Sequence, residues 1–434
     1  MPAPQHWLAR IGRRVATLTL TLSVSSIAAA QAQSPDAVLE WNRILLTTLG
    51  TPGAADPTVF FTRPLAVMHV AVFDALNSFD RIYTPYVGRF EVLSAASREA
   101  AVAQAAHDTL VAMFPSQVAI YDSALAAQLS RLNAASAQDG ARVGAAAARA
   151  VLDLRRNDGW NRGAHPAYVL PNLPGYWLPV PPANATATFA HYPDVTPFVI
   201  GSPRQFLVEP PPALSSQRYA DDFNEAKALG GINSTTRTAD QTLVAQLFAA
   251  VPTITTTSIP AVWNNLTRDL IRTHALNDLE AARLYALINT TFHDSLLASF
   301  NGKFVYGFWR PVTAIREAAR DGNPATEPDP NFLALLGTPP YPSYPGNYAC
   351  LASAMTRVFA RYFGRNDVPF SITWAQPTGP GITRSYNNFR QLADEAARSR
   401  VYGGIHFNFD TTSSFGVCEP MGDYIFTNSF RRQP

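Results

Sequence analysis

Two segments in the C-terminal third bring cationic side chains together at short spacings. The first, KFVYGFWRP, contains Lys303 and Arg310, and the second, SRVYGGIHFNFD, contains Arg400, His406 and Asp410. Lysine and arginine bind oxyanions most strongly where a low dielectric increases their attraction for negative charge. The two segments together predict a site for a tetrahedral or trigonal bipyramidal oxyanion.

The spacing within the first segment predicts that Lys303 and Arg310 share one face of a helix, two turns apart. The intervening residues include Phe304, Phe308 and Trp309, so the cations would emerge from an aromatic wall. A solvated pair on an exposed helix face is the alternative that this spacing alone leaves open.

In the second segment, Asp410 follows His406 by four residues and is predicted to hold one ring nitrogen while the other stays reactive. Gly403 and Gly404 would let the chain turn so that Arg400 and His406 converge. A lone histidine is more often a core residue, but an arginine, two glycines and a carboxylate nearby favour a functional site.

The elements that position these residues are predicted to be helical. Apolar residues recur at three- and four-residue spacings in DAVLEWNRILLTTLG, and RPLAVMHVAVFDALNSF reads as a buried helix. Later Ala-rich helices over 98–156 are predicted to break near Gly140. Capping boxes are predicted at Thr238 with Gln241 and at Asn277 with Glu280, the latter opening a helix that Gly302 ends.

A proline-rich stretch, Pro166 to Pro212, cannot be a continuous helix because each interior proline removes a hydrogen bond. We therefore predict an all-α protein of two helical bundles joined by a long ordered connection. The predicted boundaries are a secretory signal at 1–32, an N-terminal helical half at 33–165, the connection at 166–218, and a C-terminal half at 219–434 that carries the site.

The 434-residue chain is 47% hydrophobic and carries a net charge of +2, which gives no basis for nucleic-acid binding. Its first 32 residues combine Arg13 and Arg14 with an apolar run that ends in a small-residue cleavage pattern. No later stretch is long enough to span a bilayer. We expect an exported protein, periplasmic or secreted. The sequence leaves its oligomeric state open.

The chain has two cysteines, Cys350 and Cys418. One disulfide is possible in an oxidising compartment, and two buried free thiols are equally compatible with the sequence.

The two segments resemble the motifs of the vanadium-dependent haloperoxidases and the related type 2 phosphatidic acid phosphatases. KFVYGFWRP matches a lysine, six residues and Arg-Pro, while SRVYGGIHFNFD matches Ser-Arg, five residues, His, three residues and Asp. WNRILLTTLGTPG, STTRTADQT and FWRPVTAIREA are also similar to the bacterial haloperoxidase branch. The resemblance covers nearly all of the predicted mature chain and implies the helical bundles of that fold.

The resemblance implies a role for each matching residue. Lys303, Arg310 and Arg400 would bind the equatorial oxygens of vanadate, with His406 as its axial ligand. Around them, Asp294 would pair with Arg400, Phe300 would lie near the halide, and Ser399 would belong to the surrounding shell.

The implied activity is oxidation of a halide by hydrogen peroxide, with Lys303 polarising the peroxide and a small organic compound as a possible acceptor. Phosphate fits the same site, because vanadate and a phosphoryl transition state share shape and charge. The alternatives are therefore an acid phosphatase that uses a phosphorylated His406, and an oxyanion-binding homologue with weakened catalysis.

The segment between the two motifs departs from the family pattern. The family has Ser-Gly-His where this chain has Gly346, Asn347 and Tyr348. A serine hydroxyl is lost, the backbone amide of Asn347 can still donate, and Tyr348 replaces the acid/base histidine. A phenol with a pKa near 10 is a poor proton carrier at neutral pH. His293 is expected to be a packing residue and offers no replacement.

Overall fold

The computed structural model describes residues 34–54, 62–160 and 167–434. The predicted secretory signal at 1–32 lies outside these residues. Helices dominate the described part, which confirms the all-α class. The helices of the first half are α1 (Asp36–Gly50), α2 (Thr62–Asp80), α3 (Arg98–Met113), α4 (Val118–Leu129) and α5 (Ala134–Leu154).

The second half adds eight α-helices and an unpredicted two-stranded antiparallel hairpin. The helices are α6 (Gln217–Gly230), α7 (Ala239–Phe248), α8 (Ile259–Thr273), α9 (Asp278–Tyr306), α10 (Pro311–Arg316), α11 (Asn347–Phe363), α12 (Phe389–Tyr402) and α13 (Asn408–Asn428). The strands are β1 (Phe370–Trp374) and β2 (Ile382–Tyr386), with Phe370 opposite Tyr386.

Helix α9 is the centre of the structure, 29 residues long and buried along most of its length. The predicted capping box at Asn277 and Glu280 is present. The predicted end at Gly302 is wrong. Gly302 lies within the helix, and Pro345 packs so closely that an added Cβ would lie 2.8 Å from the proline ring. The helix ends instead at Gly307, whose φ of 59° suits glycine.

The predicted helix break at Gly140 is also wrong, because α5 runs through it. An added Cβ at Gly140 would lie 2.1 Å from the carbonyl oxygen of Ser97, so this glycine allows α5 to approach the start of α3. The chain breaks earlier, before Asn133, whose side chain caps α5.

The described part of the proline-rich connection contains no α-helix, and its regular structure is a 3₁₀ turn at Tyr192–Asp194. It is fastened to the second half by backbone hydrogen bonds. The amide of Trp177 donates to the carbonyl oxygen of Gly307 at 2.7 Å, and that of Thr188 donates to Pro340 at 3.0 Å. The connection thus lies against the end of α9 and against the loop that contains Pro340.

The two halves share one hydrophobic core. A continuous cluster of buried apolar side chains includes Val38 of α1, Val70 of α2, Leu287 of α9 and Met421 of α13. Cys350 and Cys418 form a disulfide that joins α11 to α13, which decides between the two states the sequence left open. Among the described residues, no helix is both long enough and apolar enough to cross a membrane.

Candidate oxyanion site

Lys303 lies in the last two turns of α9 and is completely buried. Its Nζ donates to three backbone carbonyl oxygens, those of Pro342, Ser343 and Pro345, at 3.0, 2.7 and 2.6 Å. Burial, together with the charges of Arg310 and Arg400, lowers the pKa of Lys303 well below its usual value. The three carbonyl oxygens fix the position of Nζ, while burial and the neighbouring guanidinium groups disfavour its charged form.

Arg310 is fully buried at the N-cap of α10. Its Nε donates to the carbonyl oxygen of Tyr341 and its Nη1 to that of Ile405, both at 2.8 Å, while Nη1 also lies 3.2 Å from His406 Nε2. Its Nη2 is buried and has no hydrogen-bond partner in the described structure. An unsatisfied buried donor of this kind is suited to an anion.

Lys303 and Arg310 do not share a helix face, contrary to the prediction. The left-handed residue Gly307 ends α9 between them, and Arg310 has an extended backbone. The two side chains nevertheless approach the same ring, because Lys303 Nζ lies 5.4 Å and the Arg310 guanidinium carbon 4.9 Å from the centre of Tyr341. A sharp turn, rather than helical periodicity, brings the cations together.

His406 is oriented as predicted. It lies just before α13, and its Nδ1 is 2.8 Å from Asp410 Oδ2. The same oxygen accepts from Ser343 Oγ at 2.6 Å and from the Phe407 amide at 3.2 Å. Because a carboxylate oxygen is an acceptor, we assign the proton to Nδ1, which leaves the Nε2 lone pair facing Arg310.

The electrostatic environment keeps His406 neutral. The ring is 2% exposed, and burial together with Arg310, Lys303 and Arg400 lowers its pKa well below the usual value. Burial raises the pKa of Asp410, while Ser343 and the nearby cations oppose the change. A neutral imidazole whose Nε2 carries a lone pair, here facing Arg310 Nη1, can coordinate a metal centre or attack phosphorus once that contact is exchanged.

Arg400 is buried in α12 and carries no ion pair in the described structure. Its Nη1 donates to the carbonyl oxygen of Phe248 at 3.4 Å, and its guanidinium carbon lies 5.4 Å from the centre of the Tyr348 ring. Burial lowers its pKa, and Tyr348 and Tyr341 oppose that shift. A carbonyl group and an aromatic face thus accompany this guanidinium.

Gly346 and Asn347 form the start of α11. The Gly346 amide donates to the carbonyl oxygen of Asp410 at 2.9 Å, and an added Cβ would lie 3.2 Å from that oxygen. The Gly346 carbonyl accepts from Ser414 at 3.0 Å. Gly346 therefore ties α11 to α13. Asn347 is the first helical residue, where backbone amides lack helical partners and favour anions.

The predicted pairing of Asp294 with Arg400 is wrong. Both carboxylate oxygens accept from backbone amides of the connection, those of Phe198, Val199 and Ile200, at 2.7, 2.7 and 3.0 Å. Burial raises the pKa of Asp294 to about 6, against the effect of these amides. Asp294 fastens the connection to α9, and its carboxylate is occupied there.

Phe300 is separated from Lys303 and Arg310 by the ring of Tyr341. It is fully buried and packs edge-on against Tyr341, with ring centres 5.0 Å apart, and against Phe189 at 5.3 Å. Since Tyr341 is the ring that faces both Lys303 and Arg310, Phe300 supports the wall of the site.

Two other residues from the sequence prediction do not bond to the cluster. The Ser399 hydroxyl donates to the carbonyl oxygen of Ala396 within α12 at 2.6 Å. His293 is completely buried, with Nδ1 3.0 Å from Thr62 Oγ1, and is a packing residue as expected.

Two contributors to the site, Tyr341 and Ser343, were missed by the sequence reasoning. The ring of Tyr341 lies against Lys303 and Arg310. The Ser343 hydroxyl donates to Asp410, and the Ser343 carbonyl oxygen accepts from Lys303. Both lie in YPSYPGNYA, whose proline density signals a fixed loop. That the loop runs alongside α9 has no signature in the sequence.

The site region matches a known family. Residues 283–432, which include the cations, His406 and Asp410, match the VCPO second helical-bundle domain. The vanadium chloroperoxidase of Curvularia inaequalis is 26% identical over 275 residues, which cover 50% of this chain and 44% of that protein. The match thus spans less than half the length of the curated relative.

Solved structures extend the likeness to the whole fold. A bacterial vanadium-dependent iodoperoxidase superposes with a TM-score of 0.78 at 19% identity, covering 92% of this chain and 98% of the other. The holo form of a bacterial vanadium-dependent chloroperoxidase gives 0.67 at 17% identity, covering 87% and 93%. The chain is therefore similar to the vanadium chloroperoxidase domain over its site region and shares the fold of the vanadium-dependent haloperoxidases along most of its length.

Proposed function

We propose that the protein is an exported, vanadate-dependent haloperoxidase-like enzyme that uses hydrogen peroxide to oxidise a halide. One observation carries the proposal. The Nε2 lone pair of a neutral His406 faces a buried group of three cations, Lys303, Arg310 and Arg400, and Asp410 is the acidic side chain in hydrogen-bond contact with it. The kinship with vanadium haloperoxidases supports the choice of vanadate.

The residues present fit a vanadate anion. Three cations against one carboxylate leave the buried cluster with excess positive charge, which is costly unless an anion compensates it. Arg310 Nη2 is a buried donor without a partner. His406 Nε2 would be the nitrogen ligand, and Lys303, Arg310 and Arg400 would bind the oxygens.

The overall reaction is H₂O₂ + X⁻ + H⁺ → HOX + H₂O, in which the halide X⁻ loses two electrons and the peroxide O–O bond breaks. Bound vanadate would supply Lewis-acid activation of the peroxide. Asp410 holds the Nδ1 proton of His406 and so fixes the direction of Nε2. Lys303 and Arg310 stabilise negative charge on oxygen in a site where their burial excludes water.

A direct test is to load the purified protein with vanadate and follow peroxide-dependent bromination or iodination of a dye. We expect activity that His406→Ala abolishes, because the nitrogen ligand is lost. His293→Ala is the matched control, since His293 is equally buried and, among the described residues, its ring bonds to Thr62 and to none of the cations. The assay covers pH values from about 5 to 8, which surround the ordinary pKa of a histidine side chain. The proposal is refuted if the wild-type protein is folded and binds vanadate but halogenates the dye at none of these pH values.

Acid phosphatase activity is a second candidate, because the same oriented Nε2 can attack phosphorus. Hydrolysis of a chromogenic phosphate ester that vanadate inhibits and His406→Ala abolishes would favour it. Binding of phosphate and vanadate with neither activity would leave the oxyanion-binding homologue.

Export is part of the proposal and is supported by two features. The first 32 residues read as a secretory signal, and Cys350 and Cys418 form a disulfide, which is common in oxidising compartments. Fractionation of cells expressing the full chain should recover a shortened protein outside the cytoplasm. Recovery of the uncut protein in the cytoplasm would contradict export.

A further inference from the structure

The position of Tyr348 does not suit a proton donor. The side chain is buried, and its hydroxyl meets no hydrogen-bond partner at full bonding distance in the described structure, although the indole of Trp263 lies near it. Burial raises the pKa of Tyr348 far above its usual range, and the neighbouring Arg400 and Trp263 offset this only in part. Both a hydroxyl directed at an oxyanion and a phenol tuned for proton transfer would require a different environment.

The ring of Tyr348, in contrast, is placed against a charge. Its centre lies 5.4 Å from the guanidinium carbon of Arg400, within the range of a cation–π interaction. Such contacts are strongest where water is excluded. Tyr348 is 5% exposed and Arg400 is 9% exposed, so both residues are buried.

A second group completes the arrangement. Phe248 packs edge-on against Tyr348, with ring centres 6.0 Å apart, and its carbonyl oxygen accepts from Arg400 at 3.4 Å. Phe248 is the last residue of α7, where unpaired carbonyl groups carry partial negative charge. The ring of Tyr348 and the end of α7 thus both contact Arg400.

Among the described residues, no carboxylate pairs with Arg400. Asp294, expected at this position, is bonded to the connection, and no ion pair of Arg400 occurs in the described residues. The aromatic face stabilises the cation without occupying its N–H groups, since it attracts the guanidinium through its π-electrons. Apart from the Nη1–H that donates to Phe248, the guanidinium N–H groups of Arg400 remain available for oxygen atoms.

We propose that Tyr348 is a positioning residue for Arg400, acting through its aromatic face and not through its hydroxyl. The proposal rests on the proposed oxyanion site. It assigns Tyr348 a role other than that of the histidine it replaces in the family pattern, and it predicts that the ring matters while the oxygen does not.

The test compares Tyr348→Phe with Tyr348→Leu in phosphate and vanadate binding by calorimetry. Tyr348→Phe keeps the ring and removes an unsatisfied hydroxyl, so we expect a Kd within about twofold of wild type and an unchanged or higher Tm. Tyr348→Leu removes the ring, and we expect Kd to rise about tenfold, as loss of a buried cation–π contact implies. In an Arg400→Met background the Leu substitution should have little further effect.

Turnover separates positioning from proton transfer. Where halogenation is measurable, the pH profile of Tyr348→Phe should superimpose on that of wild type. A large fall in kcat with unchanged binding and a shifted profile would show that the hydroxyl donates a proton and would overturn the proposal. Wild-type affinity in Tyr348→Leu would overturn it equally.

The design distinguishes failure of this inference from failure of the proposed function. If the wild-type protein binds neither anion, the oxyanion site is refuted. The contact is then tested by thermal unfolding alone, where Tyr348→Leu should lower Tm more in the Arg400 protein than in Arg400→Met. Tyr348→Met serves in place of the leucine variant if that variant does not fold.

Discussion

Replacing Asp410 with asparagine isolates the orientation of His406 from the charge of the site. In the native protein, Asp410 Oδ2 accepts from His406 Nδ1, Ser343 Oγ and the Phe407 amide. An asparagine keeps the volume but presents a donor as well as an acceptor. It therefore no longer requires the Nδ1–H tautomer of His406.

The two anions should respond differently to Asp410→Asn. Loss of a carboxylate that orients a ligating histidine typically costs 10- to 100-fold in metal affinity, so vanadate should bind more weakly by about 1.4–2.7 kcal/mol. Phosphate held only by the cations should bind as tightly or more tightly, because a negative charge beside Lys303 and Arg310 has been removed.

Calorimetry at pH 7.5 with each anion measures both effects on the same protein. Ser343→Ala is the matched control, since it removes one hydrogen bond to Asp410 and leaves the contact with His406. We expect its vanadate Kd to change by only a few fold. Equal weakening of vanadate and phosphate binding in Asp410→Asn would refute the reasoning. The loss of affinity would then not depend on a nitrogen that coordinates vanadate.

Three further predictions concern stability. Asp294→Ala leaves three backbone amides without acceptors and should lower the free energy of unfolding by roughly 3 kcal/mol in urea, with little change in phosphate affinity. Replacing Cys350 and Cys418 together by serine should cost roughly 4 kcal/mol, because the disulfide closes a loop with a sequence separation of 68. Burial lowers the pKa of His69 from 6.5 to about 3. As the pH falls below 6.5, the unfolded chain therefore binds a proton that the folded protein does not bind, and the free energy of unfolding decreases. His69→Gln should reduce the slope of unfolding free energy against pH between 4 and 6 by about 1.4 kcal/mol per pH unit.

Each of these has a result that would contradict it. A large loss of phosphate affinity in Asp294→Ala would place that carboxylate at the anion site. An unchanged Tm in the double serine variant would mean that the cross-link adds nothing to the folded protein. Identical pH slopes with and without His69 would mean that its ring is protonated in the fold.

Local features were predictable from the sequence. The capping boxes at Thr238 and Asn277 are present because, in each, two residues three positions apart exchange hydrogen bonds, the side chain of one accepting from the backbone amide of the other. The contact of His406 with Asp410 follows likewise from a short separation, although the histidine precedes the helix.

Features that depend on a distant neighbour were not predictable. Gly140 and Gly302 were expected to break helices, yet both are helical, and each is a glycine where Ser97 or Pro345 leaves no room for a side chain. The partners of Asp294 are backbone amides of a segment about 95 residues earlier, as the separations of 94 to 96 show. Backbone amides carry no residue type, so no sequence pattern reveals them.

The site was predictable as a set of residues and not as a geometry. Lys303 and Arg310 meet because Gly307 turns the chain between them, not because they share a helix face. The spacing of seven residues was compatible with both. The predicted roles of Gly346, Asn347 and Ser399 as contacts of an anion and its surroundings stay predictions, although the Ser399 hydroxyl bonds within α12.

The shared hydrophobic core limits how this protein can be divided. The C-terminal half contains every cation of the site, which makes it an obvious candidate for expression as a separate module. Helix α9, however, buries one side against α2, through residues such as Val70 and Leu287. A truncated protein beginning at α6 would expose that side to water, and we expect it to aggregate unless the first half is supplied as a second chain.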